Sequence, residues 1–125
     1  MKDKKILIVD DDPKISEALS KPLTQAGAIV QSATSYEEGL AAVKATHPDA
    51  VILDVILKDS RSGLDLAKEI HSMPPPHPFV MILTNAINPD EIVEGMQTNV
   101  TLFMQKAEND PDKIASMLAK HFEEK

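Results

Sequence analysis

Short apolar segments alternate with amphipathic segments along the whole chain. The apolar runs are rich in aliphatic and β-branched residues, which is typical of strands buried on both faces of a parallel sheet. They predict strands at 5–9, 28–31, 50–53, 79–83 and 101–104. Apolar residues at helical spacing predict helices that begin at or beside Pro13, Ser35, Gly63, Pro89 and Pro111. Alternating strand–helix units indicate an α/β fold, an open parallel sheet with helices on both faces.

Three of the predicted helix starts carry capping signals, and the pair Asp110-Pro111 repeats the first of them. Asp12 precedes Pro13, and a short polar side chain followed by proline is typical of an N-cap and the first helical position. Ser35 and Glu38 have the spacing of a capping box. Asp12 is therefore predicted to cap the first helix.

Composition places the chain among ordinary globular domains. Its 125 residues are 42% hydrophobic and contain no cysteine, so we expect one domain over 1–125 and no thiolate chemistry. No apolar run is long enough for a membrane span, and no signal peptide precedes the first strand. We therefore expect a cytoplasmic protein with no membrane association.

Charge and aromatic content argue against direct nucleic-acid binding. The net charge is −7, and aromatic residues are 3% of the chain. A basic surface would be needed to neutralise phosphates, and exposed aromatic rings would be needed to stack on bases. The four histidines have no metal-ligand spacing and are predicted to be surface residues.

Polar residues follow four of the predicted strands. Asp10 and Asp11 follow the first strand, Asp54 the third, Thr84 the fourth and Lys106 the fifth. Ligands of open parallel sheets bind at the carboxyl ends of the strands, so these residues are expected to meet in one crevice.

The chemistry of this set favours phosphoryl transfer. Converging carboxylates repel one another, and a hard cation with oxygen ligands, Mg²⁺, relieves that repulsion. Lys106 and Thr84 would neutralise the oxygens of a transferring phosphoryl group. Asp54 stands alone after the most apolar central strand and is the best candidate nucleophile.

Each residue also has a simpler explanation. Acids at a helix start commonly complement its dipole, and a lone aspartate after a strand is commonly a turn or cap residue. The coincidence at one sheet edge favours the functional interpretation.

At these positions the chain resembles the receiver domain of bacterial two-component response regulators, along essentially its whole length. The matching segments are 6–13, 51–54, 82–84 and 103–106, and the separations of 30 and 22 residues between Asp54, Thr84 and Lys106 fit the family. The resemblance implies a flavodoxin-like (βα)5 three-layer sandwich whose central five-stranded parallel sheet has the order 2-1-3-4-5.

The resemblance also implies a metal site and a phosphoacceptor. Asp54 would accept the phosphoryl group and contribute to the Mg²⁺ site. Asp11 would ligate the ion directly, Asp10 would act through water, and the backbone carbonyl of Ile56 would complete the set. Apolar Ile56 and Ala86 would not orient a hydrolytic water, so slow autodephosphorylation is expected from a domain that is not a turnover enzyme.

Switching residues and partners follow from the same resemblance. Thr84 and Lys106 would bind the phosphoryl group, and Phe103 would turn inward as Thr84 moves. The output surface would comprise the predicted helix 89–97, the fifth strand and the last helix. The donor would be a sensor histidine kinase or a phosphotransfer protein, and the target a downstream protein or an effector domain beyond this chain. Homodimers are common in the family.

Three alternatives come from other classes. Lys58 and Ala107 stand where the family usually has proline, which favours a receiver-like interaction module that works without phosphorylation. A Mg²⁺-dependent phosphatase with an aspartate nucleophile would need a second aspartate at Ile56. A nucleotide-binding domain would need a glycine-rich first loop, and 10–13 contains no glycine.

Overall fold

The sheet has five parallel strands. The computed structural model describes residues 1–55, 57, 62–84, 102–105 and 110–123, with the backbone alone at 84 and 102–105. The strands are β1 (Lys5–Val9), β2 (Ile29–Ala33), β3 (Ala50–Leu53), β4 (Phe79–Thr84) and β5 (Leu102–Gln105). Their order is β2-β1-β3-β4-β5, which confirms the predicted fold.

Four described helices connect or follow these strands. They are α1 (Pro13–Gln25), α2 (Tyr36–Thr46), α3 (Gly63–Ser72) and the C-terminal helix (Pro111–Glu123). None of these described helices has the length and apolar character needed to cross a membrane. The predicted helix 89–97 lies outside the described residues.

The sheet has a separate apolar core on each face. Successive side chains of a strand point to opposite faces, so Leu7 and Val9 join one core and Ile6 and Ile8 the other. The first core also contains buried residues of α2 and α3. The second contains buried residues of α1 and the C-terminal helix. Helices on both faces make the three-layer sandwich that the sequence predicts.

The predicted starts of the four described helices are confirmed, and so are the N-cap residues of α1 and α2. Asp12 is the N-cap of α1, and its side chain accepts a hydrogen bond from the backbone N–H of Lys14. Ser35 caps α2 by accepting from the N–H of Glu38, whose carboxylate accepts a hydrogen bond from the Thr34 hydroxyl. These caps fix the residues at which α1 and α2 begin, just after β1 and β2.

The prediction that all four histidines lie on the surface is wrong for His121. Three of them are exposed, but His121 is partly buried, and its Nε2 atom is shielded from solvent. Its ring centroid lies 4.1 Å from that of Phe79 and 5.1 Å from that of Phe122. Helical spacing placed His121 next to the apolar side of the last helix, and packing against the start of β4 covers it.

Candidate functional site at the carboxyl edge of the sheet

Asp10 and Asp54 leave neighbouring strands at the same level. Val9, the last residue of β1, is in register with Leu53, the last residue of β3. The backbone N–H of Asp54 donates to the carbonyl of Val9 at 2.9 Å, which extends the pairing by one residue. The two carboxylates therefore emerge side by side, as the strand-end argument predicts.

Asp11 joins these residues to make a three-carboxylate cluster. Asp10, Asp11 and Asp54 each offer an oxygen, and these oxygens lie within 4.8 Å of one another. Asp10 is 3% exposed and Asp54 7%, whereas Asp11 is exposed. Two buried carboxylates this close repel each other strongly because little water screens them. A bound cation would relieve that repulsion.

The cluster fits a small hard cation. Mg²⁺ takes six oxygen ligands at about 2.1 Å, so oxygens around one ion lie roughly 3 to 4 Å apart. A spread of 4.8 Å needs only small side-chain rotations, or one intervening water, to reach that geometry. The all-oxygen donor set also suits Mg²⁺ better than a softer metal. The residues present therefore fit the ion that the sequence predicts.

The turn after β1 holds the carboxylates of Asp10 and Asp12 in different roles. The backbone N–H of Asp12 donates to Oδ1 of Asp10 at 2.9 Å, which orients the buried carboxylate. Asp12 turns its own Oδ1 to the N–H of Lys14 at 3.0 Å. Asp12 is thus a helix cap, as predicted, and the cluster that could hold a metal ion is made by Asp10, Asp11 and Asp54.

The backbone of Gly63 packs closely against the backbone of Asp54, a contact that the sequence did not predict. Its N–H donates to the carbonyl of Val55 at 2.9 Å. A Cβ at this position would lie 1.9 Å from the Asp54 carbonyl oxygen, far inside van der Waals contact. Ser62 and Asp65 form a capping box around this start of α3. The spacing of Ser62 and Asp65 was the available signal, although the usual acid at that position is glutamate.

The remaining predicted site residues are placed by the backbone or lie outside the described residues. Thr84 ends β4 and is in register with Gln105, the last residue of β5. Phe103 lies within β5, in register with Ile82. Lys106 and Ile56 fall outside the described residues. The strand ends therefore bring Thr84 to the carboxyl edge that carries the aspartates.

Comparison with known families identifies the class of this domain. The family model for the response regulator receiver domain matches residues 6–119, which is most of the chain. The chain therefore belongs to the response regulator receiver domain family, the signalling domains of two-component systems. The resemblance read from the strand-end residues is confirmed.

Individual relatives and solved structures agree with this assignment. The probable transcriptional regulatory protein SilR of Salmonella typhimurium is 34% identical over 116 residues, which are 93% of this chain and 48% of that protein. The BeF3-activated receiver domain of DrrB, a Thermotoga maritima protein, is 27% identical with a TM-score of 0.84, over 98% of this chain and 99% of that one.

A further solved structure shows the shared fold. The CheY-like receiver domain protein of Methanospirillum hungatei JF-1 has a TM-score of 0.89 at 23% identity, over 98% of this chain and 95% of that one. The chain spans about half, or less, of the length of the curated relatives it matches.

Proposed function

We propose that residues 1–125 form a single receiver domain in which Asp54 accepts a phosphoryl group. The proposed donor is the phosphohistidine of a sensor histidine kinase or a phosphotransfer protein. The observation that carries this proposal is the cluster of Asp10, Asp11 and Asp54 at the carboxyl ends of β1 and β3. Membership of the receiver family supports it.

Asp54 has the placement expected of the nucleophile. It directly follows β3, a central strand of the sheet. Its backbone N–H donates a hydrogen bond to the carbonyl of Val9, which fixes the position of its backbone. Its carboxylate is largely buried, so it loses little hydration when a phosphoryl donor approaches. Asp11 is exposed at the mouth of the same cluster.

In the proposed transfer, one carboxylate oxygen of Asp54 attacks phosphorus while the phosphorus–nitrogen bond to the donor imidazole breaks. The imidazole leaves with the bonding electron pair and takes a proton from solvent, and Asp54 becomes an acyl phosphate. Mg²⁺ held by Asp10, Asp11, Asp54 and the Ile56 carbonyl would supply positive charge beside the phosphoryl oxygens. Lys106 and Thr84 are proposed to bind the same oxygens.

The proposed output is a population shift and not a released product. A new dianion on Asp54 would favour the conformation in which Thr84 and Lys106 contact it, and Phe103 would follow Thr84 inward. The backbone register of Thr84 with Gln105 supports this coupling, because it joins the end of β4 to the residue before Lys106. The recognised surface would comprise 89–97, β5 and the C-terminal helix.

The test is intact mass after incubation with acetyl phosphate, with and without Mg²⁺. We expect one phosphoryl adduct on the wild-type chain, dependent on Mg²⁺ and absent from Asp54→Asn. Asp49→Asn is the matched control, because Asp49 precedes the same strand at its other end. This control should be labelled like the wild type.

The alternative outcome defines the second function. A folded wild-type chain that takes no adduct, in Mg²⁺ and excess acetyl phosphate, would contradict phosphoacceptor activity. The domain would then be a phosphorylation-independent interaction module of the receiver fold. An adduct that persists in Asp54→Asn would instead show that another residue is the acceptor.

A further inference from the structure

A cavity lies at the amino edge of the sheet, opposite the edge that carries the aspartate cluster. It has a volume of about 920 Å³, within the range of small-molecule sites. Lys4, Asp49 and Phe79, at the starts of three strands, form its top. Residues at the ends of α2, α3 and the C-terminal helix form its walls, and the proline-rich segment 73–78 closes one side.

One wall of the cavity carries three rings in contact with one another. The ring centroid of His121 lies 4.1 Å from that of Phe79 and 5.1 Å from that of Phe122, with interplanar angles of 42° and 72°. Nζ of Lys4 lies 5.4 Å from the centre of the Phe122 ring, within cation–π distance. Ile70 and Met73 add aliphatic surface. This wall offers an apolar surface of tilted rings to a ligand with an aromatic body.

The proline-rich segment 73–78 is held by its own contacts. Nε2 of His77 lies 2.7 Å from the carbonyl oxygen of Met73, a hydrogen bond across the proline-rich segment. The ring of His77 also lies 5.4 Å from that of His71, centroid to centroid. Proline fixes backbone φ, so this segment is stiff as well as hydrogen-bonded. This side of the cavity is therefore held in place without a ligand.

The charge of the cavity is opposite to that of the chain. Acidic residues outnumber basic ones by 20 to 13 overall. Around the cavity, however, the described lining contains two lysines, Lys4 and Lys44, and three histidines. Asp49 is the one carboxylate in that lining, and its Oδ2 already accepts the backbone N–H of Lys5 at 2.8 Å. The lining complements an anion.

Helix capping explains only part of this basic lining. A lysine in the last turn of a helix offsets the helix dipole, and Lys44 fits that role in α2. Lys4 precedes β1 and His77 lies in the 73–78 segment, so neither belongs to a helix end. Lys4 contacts the Phe122 ring and His77 bonds to the Met73 carbonyl, and both remain in the lining, where they add to its basic character.

We propose that this cavity binds a small organic anion with a ring-sized apolar body. The ring would lie against Phe79 and Phe122, and the anionic group would face Lys4 and Lys44. Asp49 and Asp54 bracket β3 and are roughly 16 Å apart along the strand, so this site is separate from the carboxylate cluster and does not depend on phosphorylation.

The probe for this proposal is 8-anilinonaphthalene-1-sulfonate, which joins an aromatic body to one negative charge. N-phenyl-1-naphthylamine, which has the same rings without the sulfonate, is the matched control ligand. We expect saturable fluorescence with the sulfonate, much weaker binding of the neutral analogue, and a raised unfolding temperature because the ligand binds the native state. Amide chemical shifts should change at Lys44 and at Met73, His77 and Phe79, the residues of 73–79 that carry an amide proton.

Charge variants locate the anionic group. Lys44→Glu should weaken sulfonate binding by roughly fivefold, since it replaces an attraction by a repulsion at an exposed site. Lys21→Glu, on the exposed side of α1 and away from the cavity, should leave binding unchanged. Equal binding of the two ligands, equal effects of the two variants, a lowered unfolding temperature or shift changes centred on Asp54 would each overturn the proposal.

Discussion

Asp49 and Asp54 stand at opposite ends of β3, and the structure uses their carboxylates differently. Oδ2 of Asp49 accepts the backbone N–H of Lys5 at 2.8 Å, and the Asp49 N–H donates to the Lys5 carbonyl at 2.8 Å. These two bonds tie β3 to β1 at the amino edge. Asp54 instead joins two other carboxylates at the carboxyl edge.

The difference shows that a parallel sheet can use one edge to hold its strands together and the opposite edge to gather polar groups into a site. At the amino edge a carboxylate completes the strand pairing, and basic and aromatic side chains surround the cavity beside it. At the carboxyl edge acids follow both β1 and β3, and the like charges that they gather could hold a cation. The same residue type therefore has a structural role at one end and a proposed chemical role at the other.

The largest expected effect is a loss of stability when Gly63, which packs against the backbone of Asp54, is replaced. Gly63→Ala should lower the free energy of unfolding by about 3 kcal/mol, because the added methyl group meets the Asp54 carbonyl and the backbone must move. Acetyl phosphate labelling of the folded fraction should slow as well. Denaturant unfolding and timed intact mass measure the two effects.

Gly39→Ala is the matched control for this substitution. Its added methyl group would meet side-chain atoms of Leu66 and Val9 at 2.9 and 3.1 Å, and side chains can shift. Alanine also improves helix propensity by about 1 kcal/mol, which offsets the crowding. If Gly39→Ala lost as much stability as Gly63→Ala, the close approach of Gly63 to the backbone of Asp54 would not explain the effect.

The next effect distinguishes two neighbouring acids within the same turn. Mg²⁺ at ten times its dissociation constant should stabilise the wild type by about 1.4 kcal/mol through binding to the native state. Asp11→Asn should remove most of this gain, because it removes an exposed carboxylate of the cluster. Thermal unfolding with and without Mg²⁺ measures the effect.

Asp12→Asn serves as the control for the Mg²⁺ experiment. Asparagine is as good an N-cap as aspartate, so α1 keeps its cap and the cluster keeps its three carboxylates. The Mg²⁺-induced gain should equal that of the wild type. If both variants lost the gain alike, general acidity of the turn would explain the ion effect, and the specific cluster would not.

A smaller effect is expected at the amino end of β3. Asp49→Ala should cost about 1 kcal/mol of stability, because it removes the acceptor of the Lys5 N–H. Labelling by acetyl phosphate should be unchanged within twofold. A labelling defect in a folded Asp49→Ala protein would show that the two edges are coupled, against the comparison drawn above.

The smallest effect concerns the rim of the amino-edge cavity. Lys44 is exposed, so Lys44→Gln should change stability by no more than about 0.5 kcal/mol and leave phosphoryl labelling unchanged. Equilibrium unfolding and intact mass test both points. A large loss of either would mean that Lys44 supports the carboxyl edge, contrary to its position at the end of α2.

Most of the sheet could be predicted from the sequence, because buried parallel strands are continuous apolar runs. The predicted 5–9 and 50–53 coincide with β1 and β3. The prediction for β2 stopped at Gln31, whereas the strand continues to Ala33. β2 is an edge strand whose exposed Gln31 and Ser32 remove the apolar signal.

The carboxylate cluster was predictable for a topological reason. Residues that end neighbouring parallel strands share an edge, so Asp10, Asp11 and Asp54 could be grouped before any coordinates. The approach of Gly63 to the Asp54 backbone and the burial of His121 could not. Both depend on how a helix packs against a distant part of the sheet. Spacing places His121 beside the apolar side of its helix, but it does not show what covers that side.

The central claim, that Asp54 is the phosphoacceptor, is tested most directly by locating the modification. The chain is labelled with acetyl phosphate and Mg²⁺, reduced with borohydride to convert an acyl phosphate into homoserine, and mapped by peptide mass spectrometry. We predict homoserine at position 54 alone and only in the labelled sample. Homoserine at Asp10 or Asp11, or a phosphoryl adduct that yields none, would contradict the account.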